Sequence, residues 1–323
     1  MKLRLGYFLT LVLGCVFQIY DPGSVYSQEK PISIVATTGM IADVVQEIAG
    51  SHAEVKALMG SGVDPHLYKP TRSDIATLTS ADIVFYNGLL LEGKMTDALI
   101  RVATSGKKVF AVTELLDAQY LLEPKEFAGL YDPHVWMDPQ AWKQASFVIR
   151  DKLCEVYPAF TNDFSANANR YQQSIDRLTS YAETVLQSVP KSARVLITSH
   201  DAFNYFGRRF GYEVIGIQGM STESEAGVKD IERIVNLIVA RQVKAVFAES
   251  TLSDRNVKAL IEGAHAQHHA VEIGGRLFSD AMGAPSTYEG TYLGMIDHNV
   301  TLIARSLGGK APVRGMSGNL SVQ

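Results

Sequence analysis

A chain of 323 residues with 46% hydrophobic and 20% charged residues has room for two lobes of roughly 130 to 150 residues, each able to bury a core. That balance excludes a disordered chain, a fibrous repeat, a miniprotein held by staples and a polytopic membrane protein. Thirty Lys and Arg against 34 Asp and Glu give a formal net charge of −4, with no basic surplus for a phosphate backbone, so nucleic acid is not an expected partner.

Residues 1–27 have the order of a secretory signal. Lys2 and Arg4 precede an apolar run from Leu5 to Ile19, and Val25 and Ser27 stand at the two positions that a signal peptidase inspects before Gln28. The apolar run is shorter than the roughly 20 residues a membrane span needs. A competing reading is a lipoprotein signal, because Val12-Leu13-Gly14-Cys15 resembles a lipobox and would leave Cys15 as a lipid anchor. Either way the mature chain is expected in the periplasm or another extracytoplasmic space. After cleavage at Gln28 only Cys154 remains, which rules out an intramolecular disulfide and reads as a small buried residue on a helix.

From Pro31 short β-branched runs alternate with helical stretches. Ile32 to Ala36, Val55 to Leu58, Asp82 to Tyr86 and Lys108 to Val112 read as strands of βα units around a parallel sheet. Phe160 to Ser188 then holds no Gly or Pro, and its apolar residues Tyr171, Ile175, Leu178, Ala182, Val185 and Leu186 recur at spacings of three and four. It predicts one amphipathic helix of about 29 residues, near 43 Å long, bounded by Pro158 and Pro190. The strand rhythm restarts with Arg194 to Thr198, Tyr212 to Ile215, Ala245 to Ala248 and His269 to Ile273, and Glu289 to Leu307 reads as a closing helix. The fold class expected is α/β: two βα lobes with parallel sheets, residues 28–158 and 191–323, joined by one long backbone helix at 159–190. Such a connection resists a wide hinge.

Signatures of nucleotide-binding enzymes, serine hydrolases, zincins and dithiol redox proteins are missing from the sequence. The tripeptide Asp-Pro-His occurs twice, at 64–66 and 132–134, in loops expected after strands of the first lobe. In the second lobe Thr198-Ser199-His200-Asp201 and Phe278-Ser279-Asp280-Ala281 hold matching positions. Ligands of open α/β sheets bind outside the carboxyl ends of strands, so His66, His134, His200 and Asp280 can converge on the cleft between the lobes. Three imidazoles and one carboxylate suit a tetrahedral or five-coordinate divalent ion. Zinc fits by softness, and manganese could use both oxygens of Asp280.

A ligand imidazole usually donates its second N–H to a carboxylate or carbonyl, for which Asp64, Asp132, Asp201 and Glu249 are candidates. The competing roles for these acids are turn formation before proline and, for Asp201, capping of the next helix. The remaining histidines read as structural. His52 is a turn residue, His298 lies within the closing helix, and His265, His268 and His269 form an exposed cluster at a helix end whose i, i+4 spacing would at most allow a weak metal site.

These motifs resemble the zinc/manganese solute-binding proteins of bacterial ABC transporters, a periplasmic metal-binding family. The resemblance runs from Ile34-Val35-Ala36-Thr37-Thr38-Gly39-Met40 to Met295-Ile296-Asp297-His298-Asn299. Between them come Asp64-Pro65-His66-Leu67-Tyr68, Tyr86-Asn87-Gly88-Leu89 with Glu92, Asp132-Pro133-His134-Val135-Trp136-Met137-Asp138, Ser199-His200-Asp201-Ala202-Phe203 with Tyr205-Phe206, and Asp280-Ala281-Met282. It implies that His66, His134, His200 and Asp280 match the family's four ligand positions. The chain departs from both specialised branches. Leu115 to Tyr131 holds no histidine, unlike the His-rich loop of many zinc members, and His200 stands where manganese members usually carry glutamate.

The expected function is therefore non-enzymatic: capture of zinc or manganese, with iron as a further option, and delivery to an ABC permease by a monomeric receptor with a modest closure. No catalytic residue and no resident cofactor are expected, because the metal is the cargo. The alternative from another class is a secreted zinc-dependent hydrolase, in which the ion would activate water. Such a site keeps an open coordination position and a nearby base, and no base stands out.

Overall fold

Ile32–Ala36 (β1), Ala53–Ala57 (β2), Ile83–Tyr86 (β3) and Lys108–Ala111 (β4) form a parallel sheet in the order β2-β1-β3-β4. The computed structural model describes residues 30–125 and 129–321, so the export signal expected over residues 1–27 lies outside the described residues. Successive side chains of a strand point to opposite faces, and here both faces are covered. Ile34 and Phe85 enter a large central core with α1 (Gly39–Ala49). Val35 and Val84 enter a smaller one with Leu78 of α2 (Arg72–Ser80) and Leu99 of α3 (Thr96–Thr104).

In the second half, β5 (Val195–His200) pairs with β6 (Glu213–Gln218), and β7 (Ala245–Glu249) with β8 (Glu272–Leu277), again in parallel. β5 and β7 lie side by side. Ile197 and Val246 pack beneath α7 (Val228–Arg241) and α8 (Arg255–Ala266), whereas Leu196 and Phe247 face the central core.

Most sequence-derived boundaries fall within a few residues of these, with one larger error. The last strand was expected at His269 to Ile273 and runs from Glu272 to Leu277. Gly274-Gly275 reads as a stop, but Gly275 sits at φ +137°, and the pairing shifts register between Val246 and Phe247, so the glycines form a bulge inside the strand. A side chain there would also collide with Leu302, at 2.6 Å from the added Cβ. Asp280 accordingly follows the strand end closely.

The expected long helix is α5 (Thr161–Gln187), 27 residues behind a short turn at Pro158–Phe160, and its six predicted apolar positions are buried. Alongside it packs α4 (Pro139–Val156), begun by Pro139 and by the Asp138 carboxylate, which accepts the Gln140 N–H at 2.9 Å. Cys154 is a free, half-buried thiol on this helix. The expected closing helix is α9 (Tyr292–Ser306), with Thr291 Oγ1 accepting the Gly294 N–H at 3.1 Å. Residues of both halves, of α1, α4, α5, α9 and of the short α6 (Asn204–Phe210) form a single continuous core. From Pro31 onward the described residues pack as one unit, and none of their helices is long and apolar enough to cross a membrane.

Candidate metal centre

All four predicted residues meet. One potential ligand atom from each of His66, His134, His200 and Asp280 lies within 4.8 Å of the others, and all four side chains are buried. Among the described residues they are the only such group of three or more. Each lies at or beyond a strand's carboxyl end: His66 follows β2, His134 lies on the long excursion after β4, His200 closes β5 and Asp280 follows β8.

The distances have the scale of a coordination polyhedron. His66 Nε2 is 3.3 Å from His134 Nε2 and 3.6 Å from Asp280 Oδ2; His134 Nε2 is 3.5 Å from Asp280 Oδ1, and His200 Nε2 is 3.1 Å from Asp280 Oδ2. A tetrahedron of nitrogen and oxygen ligands at about 2.0–2.1 Å has edges of about 3.3 Å. His200 Nε2 and both Asp280 oxygens are buried without a hydrogen-bond partner. Buried polar groups are ordinarily satisfied, so three such atoms aimed at one point mark a place for an ion. Both carboxylate oxygens face rings, so Asp280 could meet an ion through one oxygen or both.

Electrostatics separates the histidines. Burial disfavours charge on His66 and carries its pKa down to about 3, although Asp280 pulls the other way. On His200 burial also opposes charge, but Glu249 and Asp280 outweigh it, and its pKa lies well above the ordinary value. For Asp280 burial works to raise the pKa, yet the rings, His200 foremost, hold it below the usual carboxylate range.

Two of the four candidate supporting acids hold rings. Asp132 Oδ1 is 2.7 Å from His134 Nδ1, and Glu249 Oε2 is 2.5 Å from His200 Nδ1. A carboxylate only accepts, so each Nδ1 carries the hydrogen and Nε2 is left facing the centre. Asp64 instead accepts the His66 backbone N–H at 2.9 Å, the turn-forming role. Asp201 neither holds a ring nor caps α6, whose preceding residue is Phe203.

Several supports were not foreseen, since their partners are far apart in sequence. Trp136 Nε1 donates to Ser279 O at 2.9 Å, and Tyr292 OH to Trp136 O at 2.9 Å, tying the His134 and Asp280 loops together. Tyr205 OH donates to Asp132 O at 2.7 Å, and Asn204 Nδ2 to Asp132 Oδ2 at 3.1 Å. Buried Glu92 accepts from Thr37 Oγ1 at 2.6 Å and from the Asn87 N–H at 2.7 Å, while Asn87 Nδ2 donates to Pro133 O at 3.1 Å, which props the His134 loop.

The other histidines are structural. His52 bonds Asp163 at 2.8 Å and stacks on Phe160, His298 meets Arg276 O at 2.9 Å and His269 meets Val243 O at 2.7 Å. His265 and His268 are exposed.

Residues 34–306 match the family model described as "Zinc-uptake complex component A periplasmic". The chain is 41% identical over 281 residues to the manganese-binding lipoprotein MntA of Bacillus subtilis (strain 168), covering 87% of this chain and 91% of that protein. It is 44% identical over 278 residues to the zinc-binding protein TroA of Treponema pallidum (strain Nichols), covering 86% and 89% respectively. The solved structure of periplasmic zinc-binding TroA superposes with a TM-score of 0.83 at 43% identity, over 86% of this chain and 99% of that one. Fe(III)-bound YtgA from Chlamydia trachomatis does so at 0.77 and 27% identity, over 86% and 99%. The matched family is one of uptake components rather than hydrolases, so the enzyme alternative falls away. With fold, motif order and a convergent nitrogen-oxygen centre all in agreement, the chain belongs to the periplasmic zinc-uptake component family of metal-binding ABC-transporter receptors.

Proposed function

We propose that this chain captures a zinc or manganese ion between its two halves and hands it to an ABC permease. The ligands are Nε2 of His66, His134 and His200 with one or both oxygens of Asp280. What carries the reading is the convergence of these buried atoms, three of them without hydrogen-bond partners, at the spacing of metal ligands. The lobes are residues 28–158 and 191–323 with the helix 159–190 between them, and the receptor acts outside the cytoplasmic membrane as a monomer. Closure on metal is small because one core runs through both halves; scattering that shows a large compaction would contradict this.

The nitrogen-rich donor set favours zinc in raw affinity, so metal supply decides the cargo wherever manganese is carried, and iron is accepted on the same ligands. Export is either as a free chain starting at Gln28 or as a lipoprotein on Cys15, and the mass of the mature amino terminus separates the two.

Competitive calorimetric titration of chelator-stripped protein tests the site, run beside His200→Ala and Asp280→Ala. One tight site weakened at least about tenfold, or roughly 1.4 kcal/mol, in both variants is expected. Binding untouched by both changes would overturn the reading.

A further inference from the structure

His66 is held differently from the other two histidines. The rings of His134 and His200 are gripped at Nδ1 by Asp132 and Glu249; among the described residues no carboxylate bonds His66 Nδ1, and Asp280 approaches only Nε2. Its hold is on the main chain. Asp64 Oδ1 accepts the His66 N–H at 2.9 Å, and Asp64 Oδ2 accepts a hydrogen bond from Thr222 Oγ1 at 2.6 Å. Thr222 lies 158 residues away in sequence, on the irregular segment 219–227 between β6 and α7.

We propose that Thr222 is a positioning residue for His66: its hydroxyl fixes the Asp64 carboxylate, and so the turn that carries His66, from the opposite half of the molecule. The segment is shaped for this. Met220 and Thr222 are buried while Ser221 and Glu223 between and beyond them are exposed, in a run of bends and a turn that carries the hydroxyl inward. Gln218 Nε2 donates to Ser224 O at 3.3 Å and folds the segment back on β6. Lys94 and Glu223, 3.2 Å apart, add an exposed pair across the same seam, which contributes little by comparison. A hydroxyl on a carboxylate is a charge-assisted bond, about twice as strong as a neutral one.

His66 is thus the ligand that leaves first when the halves part, since breaking one hydrogen bond across the seam frees its turn, whereas His134 and His200 keep their partners. Thr222 governs how long the metal stays and leaves the choice of metal to the four ligands. This inference rests on the metal-site reading above.

The test is zinc release into excess chelator, followed by stopped flow, for the full mature protein, Thr222→Val and Thr222→Ser. Valine keeps the shape and removes the donor; serine restores it. Release about tenfold faster in the valine variant, near-native release in the serine variant and an unchanged association rate are expected. In an Asp64→Ala background Thr222→Val should have no further effect. In the metal-free protein the valine change should broaden the imidazole NMR signals of His66 and spare those of His134 and His200. Native release by Thr222→Val, or an equal acceleration with and without Asp64, would overturn the proposal. If unmodified protein binds no zinc, or His66→Ala binds it as tightly, the metal-site reading itself has failed and this inference falls with it.

Discussion

Glu249 holds His200 twice, accepting the ring Nδ1–H on Oε2 at 2.5 Å and the backbone N–H on Oε1 at 2.9 Å. One carboxylate at the end of β7 therefore sets both the position and the tilt of the His200 ring at the end of β5.

That pairing has a protonic consequence. Burial opposes charge on the His200 ring, but Glu249 and Asp280 outweigh it and lift its pKa, which favours a proton there while the metal is absent. An incoming cation competes with that proton, so metal uptake should release protons. Affinity falls as pH falls, beginning above the ordinary histidine value of about 6.5 rather than near 6, where neutral imidazoles alone would place it. His66, with its pKa near 3, takes no part in that competition. Calorimetry in buffers of different ionisation heat counts the protons. Glu249→Gln should release fewer and bind about 10- to 100-fold more weakly.

Trp136→Phe removes the donor to Ser279 O and leaves that carbonyl buried without its partner. The expected loss is about 1–3 kcal/mol of stability. Metal affinity should weaken with it, because the Asp280 loop loses its tie to the His134 loop. Urea unfolding and metal titration of one preparation read both effects.

Gly216→Ala tests a close approach. Gly216 pairs with Thr198 beside the His200 turn, and an added Cβ would lie 2.5 Å from Asp201 N and 2.7 Å from its Cα. Backbone atoms cannot rotate aside, so overpacking of about 1–3 kcal/mol is expected, measurable as a lowered urea midpoint. The displaced turn carries His200, and metal affinity should drop as well.

Asp43 of α1 accepts the Tyr292 N–H at the start of α9 at 3.0 Å. Burial raises its pKa from 3.8 to about 7, with Glu47 adding repulsion and the Tyr292 bond opposing. A carboxyl raised on folding holds its proton in the native state when the unfolded chain has lost it. Its contribution to stability is thus present below about pH 4 and is lost as pH rises towards 7. In thermal melts of metal-free protein at pH 4.5 and 8, Asp43→Asn should be the less sensitive to pH; an identical pH slope would count against this ionisation.

The convergence of His66, His134, His200 and Asp280 was legible because loops beyond the carboxyl ends of strands face one cleft in an open α/β sheet, and the Asp-Pro-His and Ser-His-Asp motifs stand out against the β-branched runs that precede them. Asp132 and Glu249 were legible for a related reason, one lying two residues before its histidine and the other closing a readable strand. Thr222, Trp136 and Tyr205 act on partners brought near only by the folded chain; Trp136 and Tyr205 lie within the family's motifs, but their bonding partners do not show in sequence, and Thr222 lies in no motif. The misplaced β8 has another cause: Gly274-Gly275 carries the composition of a turn, and only the approach of Leu302 shows why a strand would need bare Cα atoms there. Asp201 was misassigned because Asp before a helix usually caps it, whereas here α6 starts after Phe203.

The single core that threads both halves through α5 and α9 bears on how the protein loses its structure. Hydrophobic contacts on Ile34 and Phe85 from the first half and on Leu196 and Phe247 from the second belong to the same packed mass, so neither half retains a complete interior when its counterpart melts. Heating the metal-free protein should give one cooperative transition, with calorimetric and van't Hoff enthalpies in agreement, and a chain cut between α5 and β5 should yield two fragments that fold only together.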